Sequence, residues 1–248
     1  MFGSINIRRT ARSGIVALVL VTHAGISQAA LSLSGTRVVF EGNKRSVSLV
    51  VRNPSAKHYA AQAWVNTEVD DTTSAVPFIA SPPLFRLEPG KEQLVQINGL
   101  PNTLPQDRES LFYFNLQEIP QVDDTAGNVL NIALRTRIKF FYRPVNLKGS
   151  SVAQLQDLQW FTSYIDGKTQ LMVKNPTPFH VSFIRLDVMA NGKTLAAKNP
   201  SILAPFSEQS FAVPGLKYTH QGMQVVFSAI NDFGAYTEPL TRPIQAAH

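Results

Sequence analysis

The amino-acid sequence predicts an all-β protein made of two sandwich domains. Three observations carry that reading. Apolar and polar residues alternate in short runs, with the period of a half-buried strand. Sixteen prolines and fourteen glycines are spread through the 248 residues and cut the chain into short pieces. The composition loosens once, over Val145–Ser151, where a linker between two domains would lie. The hydrophobic content of 44% is enough for two cores and excludes a disordered chain. The absence of cysteine excludes a disulfide scaffold, a thiolate zinc site and a cysteine nucleophile.

Residues 1–29 read as a secretory signal peptide. Arg8, Arg9 and Arg12 form a basic start, Gly14–Val21 is a short apolar core, and Ser27-Gln28-Ala29 ends on a small residue. The apolar run is shorter than the ~20 residues that cross a bilayer. The mature chain offers no other candidate span. Cleavage after Ala29 would remove three arginines and no acidic residue, so the formal charge would fall from +6 to +3. That balance carries no signal of nucleic-acid binding. An exported chain without cysteine folds without oxidation.

The expected domains are 30–145 and 146–248. In the first, Ala30-Leu31-Ser32-Leu33-Ser34 alternates at once. Val47, Leu49 and Val51 repeat the pattern up to the turn Asn53-Pro54-Ser55. Ala61–Val65 and Leu94–Ile97 are further strands, separated by the turn signals Ser81-Pro82-Pro83 and Glu88-Pro89-Gly90-Lys91. Leu111–Leu116 is apolar on both parities, which places it near the middle of a sheet. A long strand is expected over Asn128–Tyr142. In the second domain, Thr169–Val173, Val181–Ile184, Leu186–Val188 and Gln224–Ile230 read as strands, with a hairpin turn at Asn191-Gly192-Lys193.

The search for reactive chemistry returns negatives. His58, His180, His220 and His248 do not fall at metal-motif spacing, so no metal or other cofactor is expected. There is no P-loop, no dinucleotide glycine fingerprint and no Gly-x-Ser-x-Gly elbow. Asp70-Asp71 and Asp123-Asp124 sit in turn-like stretches, whereas a glycosidase needs carboxylates facing across a cleft. The chain is not expected to be an enzyme.

Asn128–Pro144 holds the most information. One parity carries Leu130, Ile132, Leu134, Thr136 and Ile138; the other carries Asn131, Ala133, Arg135, Arg137 and Lys139. The segment is long for a sandwich strand, where about 5–6 residues is usual. Periodicity leaves two readings open. The apolar row faces the domain's own core, or it is exposed as a template for another chain's strand.

Several segments carry a family resemblance. Arg137-Ile138-Lys139-Phe140-Phe141-Tyr142-Arg143-Pro144 and Leu104–Asn115 resemble the corresponding stretches of the periplasmic pilus chaperones, the PapD-like proteins of the chaperone–usher pathway. So do Ser34–Phe40, Arg86–Gly90, Val173–Phe179 and Ile230-Asn231-Asp232-Phe233-Gly234. The motifs occur in order along the whole mature chain. The resemblance implies two immunoglobulin-like β-sandwich domains arranged in an L with a cleft between them. It implies that pilus subunits are bound, folded and capped as 1:1 complexes by donor-strand complementation, then delivered to an outer-membrane usher. Leu130, Ile132, Leu134 and Ile138 would be the lent side chains. Arg37 and Lys139 would anchor the subunit's C-terminal carboxylate. Glu109, Arg143 and Asp232 would form an ionic network between the domains. The expected location is the periplasm, and the exposed strand also leaves self-association open. The competing reading is an exported immunoglobulin-like adhesin or structural fimbrial protein, which would carry a single incomplete domain.

Overall fold

The structure, a computed structural model, describes residues 31–71, 73–119, 133–165, 167–217 and 222–245. The expected signal peptide and the first part of the expected 128–142 strand lie outside the described residues.

In the N-terminal domain the alternating runs become strands because each buries one row of side chains and exposes the other. They are β1 (Ser32–Leu33), β2 (Arg37–Glu41), β3 (Ser46–Arg52), β4 (Tyr59–Asn66), β5 (Phe78–Ser81), β6 (Leu84–Leu87), β7 (Glu92–Gly99), β8 (Ser110–Ile119) and β9 (Arg135–Arg143). One sheet has the order β1-β3-β7-β5 and the other β2-β9-β8-β4-β6. Val51, Val95 and Ile97 from the first sheet meet Val38, Phe114, Leu116 and Phe140 from the second in one core. Strand β8 pairs with β4 on one side and β9 on the other, so it lies in the middle of its sheet, with Phe112, Phe114 and Leu116 buried in the core and Leu111 and Tyr113 half-buried on the other face. Strand β2 runs parallel to β9, with Arg37 opposite Lys139 and Glu41 opposite Arg143.

The C-terminal domain opens with a 3-10 turn, Ala153–Asp157, whose one buried residue is Leu155. Its strands are β10 (Gln159–Ile165), β11 (Lys168–Lys174), β12 (Val181–Ala190), β13 (Lys193–Ala196), β14 (Ile202–Leu203), β15 (Glu208–Phe211), β16 (Gln224–Ala229) and β17 (Leu240–Pro243). The sheets are β10-β11-β15 and β13-β12-β16-β17, with β14 also on β12. Trp160, Leu171, Val173, Val188, Val225 and Phe227 lie in a second, separate core. The two runs expected over 181–184 and 186–188 are one strand. A bulge between Phe183 and Arg185 resets the alternation and leaves Ile184 42% exposed. The turn at Asn191-Gly192 has positive φ at both residues, +50° and +71°, which suits a two-residue hairpin loop.

Candidate functional site

The site is built on the outer face of β9, where it meets the C-terminal domain. Alternation divides the strand. Ile138, Phe140 and Tyr142 point into the N-terminal core. Arg135, Arg137, Lys139, Phe141 and Arg143 stand on the opposite side. That second row is nearly all cationic, and each member meets a different environment.

Arg143 lies at the junction of the domains. Its Nε donates to Glu109 Oε1 at 2.8 Å, and its two Nη atoms donate to the two carboxylate oxygens of Asp232 at 2.6 and 2.8 Å. Glu109 is on the N-terminal domain and Asp232 on the C-terminal one, so a single guanidinium spans both. The Glu109 side chain is 2% exposed and also accepts the His180 backbone N–H at 2.8 Å. The Glu109 N–H in turn donates to the Pro178 carbonyl. Ser151, just before the 3-10 turn, donates its hydroxyl to Asp232. Burial opposes ionisation of Asp232, but the hydrogen bonds and charge of Arg143 more than offset this and hold its pKa below the ordinary value. Burial likewise works against the Arg143 charge, and the two carboxylates prevail and raise its pKa.

Two steps along β9, Phe141 packs its ring 5.5 Å from His180 and 5.6 Å from the Arg37 guanidinium. Two further steps bring Lys139, opposite Arg37 in the parallel register. Arg37 is fixed by a 2.9 Å bond from Nη1 to the Ile230 carbonyl of the other domain, while its Nε is buried without a partner. Among the described residues no carboxylate lies within ion-pair distance of Arg37 or Lys139. Burial lowers the pKa of both, and for Lys139 the neighbouring Arg37 charge lowers it further. Two adjacent, partly desolvated cations make a seat for an anion.

Arg137 and Arg135, farther out, are tied to the 67–71 turn. Arg137 donates to the Thr67 and Glu68 carbonyls and lies 3.8 Å over the Tyr113 ring. Arg135 pairs with Asp70, donates to Asn115 Oδ1 and covers Trp64 at 4.9 Å. This network was not foreseen from sequence, although Asp70 was correctly read as a turn residue: it holds a φ of +63°. Where β9 begins, Leu134 is 51% exposed. Ile138 was expected in the lent row, but it is 9% exposed and packed in the domain's own core. The reason is positional: Ile138 lies far enough into β9 to join the core cluster that both sheets share. Leu130 and Ile132 lie outside the described residues.

Comparison with known proteins shows the family. Residues 30–148 match the family model described as the N-terminal domain of PapD, a pili and flagellar-assembly chaperone. Residues 153–240 match the C-terminal domain of the pili assembly chaperone PapD. The chain belongs to the PapD-like pilus chaperones. It is 40% identical to the chaperone protein PapD of Escherichia coli, covering 84% of each chain. It is 38% identical to the chaperone protein LpfB of Salmonella typhimurium, covering 92% of this chain and 95% of the relative. The crystal structure of the YadV chaperone superposes with a TM-score of 0.74 at 36% identity, covering 86% of this chain and all of the other. The Salmonella enterica SafB chaperone, solved in complex with the SafA pilin, gives 0.72 at 27% identity, covering 87% and 96%. Membership makes this chain a fimbrial chaperone of the chaperone–usher pathway rather than a fimbrial adhesin or structural subunit. The superpositions run through both sandwiches at once, so the L arrangement is shared. Among the described residues no helix is long and apolar enough to cross a membrane.

Proposed function

We propose that this PapD-like chaperone works in the periplasm, holds one pilus subunit at a time, and passes it to an outer-membrane usher. The observation that carries the reading is the parallel pairing of β2 with β9, which sets Arg37 beside Lys139 with no described carboxylate within ion-pair distance of either. Glu109 and Asp232 both pair with Arg143, so neither is an ion-pair partner of Arg37 or Lys139.

In this scheme the subunit's C-terminal carboxylate binds Arg37 and Lys139 through charge-assisted hydrogen bonds. That contact sets the register of the strand added along β9. Register matters because a one-residue slip would turn the lent row to the wrong side. Leu134, with Leu130 and Ile132 before it, supplies the apolar side chains that fill the subunit. Each would contribute about 1.5–3 kcal/mol on burial, before ordering costs. Ile138 is left to the chaperone's own core. Glu109, Arg143 and Asp232 hold the domains in place around the anchor. The exchange is entirely non-covalent, so it needs neither a catalytic residue nor a cofactor.

The test is co-expression with the pilin encoded beside this chain's gene. Arg37→Ala and Lys139→Ala should each give a folded chaperone that no longer yields a soluble 1:1 complex. Normal recovery of that complex by both variants would overturn the anchoring role.

A further inference from the structure

Strand β8 places a carboxylate where its pattern calls for an apolar side chain. Phe112, Phe114 and Leu116 face the core of the N-terminal domain, and Glu118 is the next residue of that row. It is 5% exposed, and the residue opposite it on β4 is the fully buried Ala61. A buried carboxylate needs a cation or several donors. Among the described residues Glu118 has one donor, the buried Leu31 N–H, bonded to Oε1 at 2.8 Å. No described lysine, arginine or histidine lies within ion-pair distance of it. The stretch 120–132 that follows β8 in sequence contains none of these residue types and adds two acids, Asp123 and Asp124. Burial pushes the Glu118 pKa up, and the Leu31 bond does not offset it.

The chain itself can supply the cation. Leu31 is 6% exposed and belongs to the same core, and β1 follows it at once, paired to β3. The sequence predicts a leader that ends at Ala29, and the N-terminal family match begins at residue 30. Cleavage there turns the Ala30 nitrogen into an α-ammonium. Bond lengths allow at most about 3.6 Å between the nitrogens of consecutive residues. The charge is therefore released beside the amide that Glu118 already holds. Before cleavage the same nitrogen is a neutral peptide N–H.

We propose that Glu118 is the seat of the mature chain's own N-terminal ammonium, a buried ion pair that forms only once the leader is removed. Its place links processing to the capture strand. The Glu118 N–H donates to the Leu134 carbonyl at 2.9 Å, so the residue that holds the chain start also ties the root of the lent strand. Leader removal thus finishes the sandwich at the end where that strand begins. The inference rests on the periplasmic export proposed above and is independent of the anchoring role of Arg37 and Lys139.

The test compares two mature chains released from a cleavable fusion, one starting at Ala30 and one carrying Gly-Ser ahead of it, each with and without Glu118→Gln. The extension turns the ammonium into a peptide N–H and changes nothing else. It should lower the melting temperature by about 3–6 °C, the loss of one charge-assisted bond in a chain of this size. Glu118→Gln should lower it by a similar amount in the chain that starts at Ala30 and should not lower it in the extended one. A second readout is the charge of the amine. Glu118→Gln should let an acylating reagent modify the Ala30 α-amino group about tenfold faster at pH 7, as followed by peptide mass mapping, because the counter-charge that keeps it protonated is gone. Equal melting temperatures for the two starts, or an acylation rate indifferent to Glu118→Gln, would overturn the pairing. Residues 1–29 still present on the chaperone purified from its native host would overturn the export reading instead, a separate result read from intact mass.

Discussion

Arg143→Ala should loosen the junction between the domains without unfolding either sandwich. Arg143 bonds to two carboxylates that differ in exposure: the Glu109 side chain is 2% exposed and that of Asp232 is 32%. The bidentate bond to Asp232 has the better geometry, yet water can replace much of it, so its loss should cost about 1 kcal/mol. Glu109 has no such recourse. Without Arg143 its buried charge keeps only His180, and stranding a buried charge costs about 3 kcal/mol or more. The least costly relief is for the C-terminal domain to move off and admit water. The total is about 4 kcal/mol of weakened docking. Hydrogen exchange can read it directly, because the Glu109 and His180 amides both bond across the junction. Their exchange should accelerate by about two to three orders of magnitude, while the amides of β7 in the far sheet stay protected. Asp232→Asn should accelerate the same amides only about fivefold. Equal effects of the two substitutions would refute the primacy of buried Glu109. Parallel loosening of β7 would show that Arg143 belongs to the cooperative fold of its own sandwich.

Other outcomes follow from the same site. The pKa of Asp232 is depressed in the folded protein, so its ion pair contributes stability above the ordinary value near 3.8 and loses it as pH falls through the lower folded value. The stability gap between wild type and Asp232→Asn should therefore persist at pH 5 and close in stronger acid, as followed by denaturant titration. Lys139→Met should raise the melting temperature of the free chaperone at pH 7, because a half-buried lysine beside Arg37 is costly to keep charged. The sign follows from its lowered pKa: the cost is full below the folded pKa and vanishes as pH approaches the unfolded value near 10.5, so the gain should fade in alkali. The same variant should lose the pilin complex, separating stability from function. Leu134→Asp should leave the denaturation midpoint unchanged and weaken pilin capture, whereas Ile138→Ala should cost about 2–5 kcal/mol of fold stability, since only the latter is packed in the core.

Sequence alone determined the parts of this protein that depend on local pattern. Alternation in Val47–Val51, Ala61–Val65 and Leu94–Ile97 marks strands because burial of one sheet face imposes a period of two. The double-sided apolar run at Leu111–Leu116 marks a strand flanked on both sides. The Asn191-Gly192 pair marks a hairpin because it tolerates positive φ. Motif resemblance added the family and named the cations. What the tertiary structure decided is non-local. No periodicity reveals that β2 runs parallel to β9, and that pairing sets Arg37 beside Lys139 across about 100 residues of chain. Nor does spacing show that Arg143 reaches Asp232 across the domain junction, or that His180 supplies a backbone N–H to Glu109. Leu134, just before β9, and Ile138 within it share one parity of the sequence pattern and are indistinguishable in sequence. Only the tertiary packing leaves one 51% exposed and puts the other in the core. Charge and hydrophobicity are properties of residues, whereas the partner each meets depends on how the sandwiches close and dock.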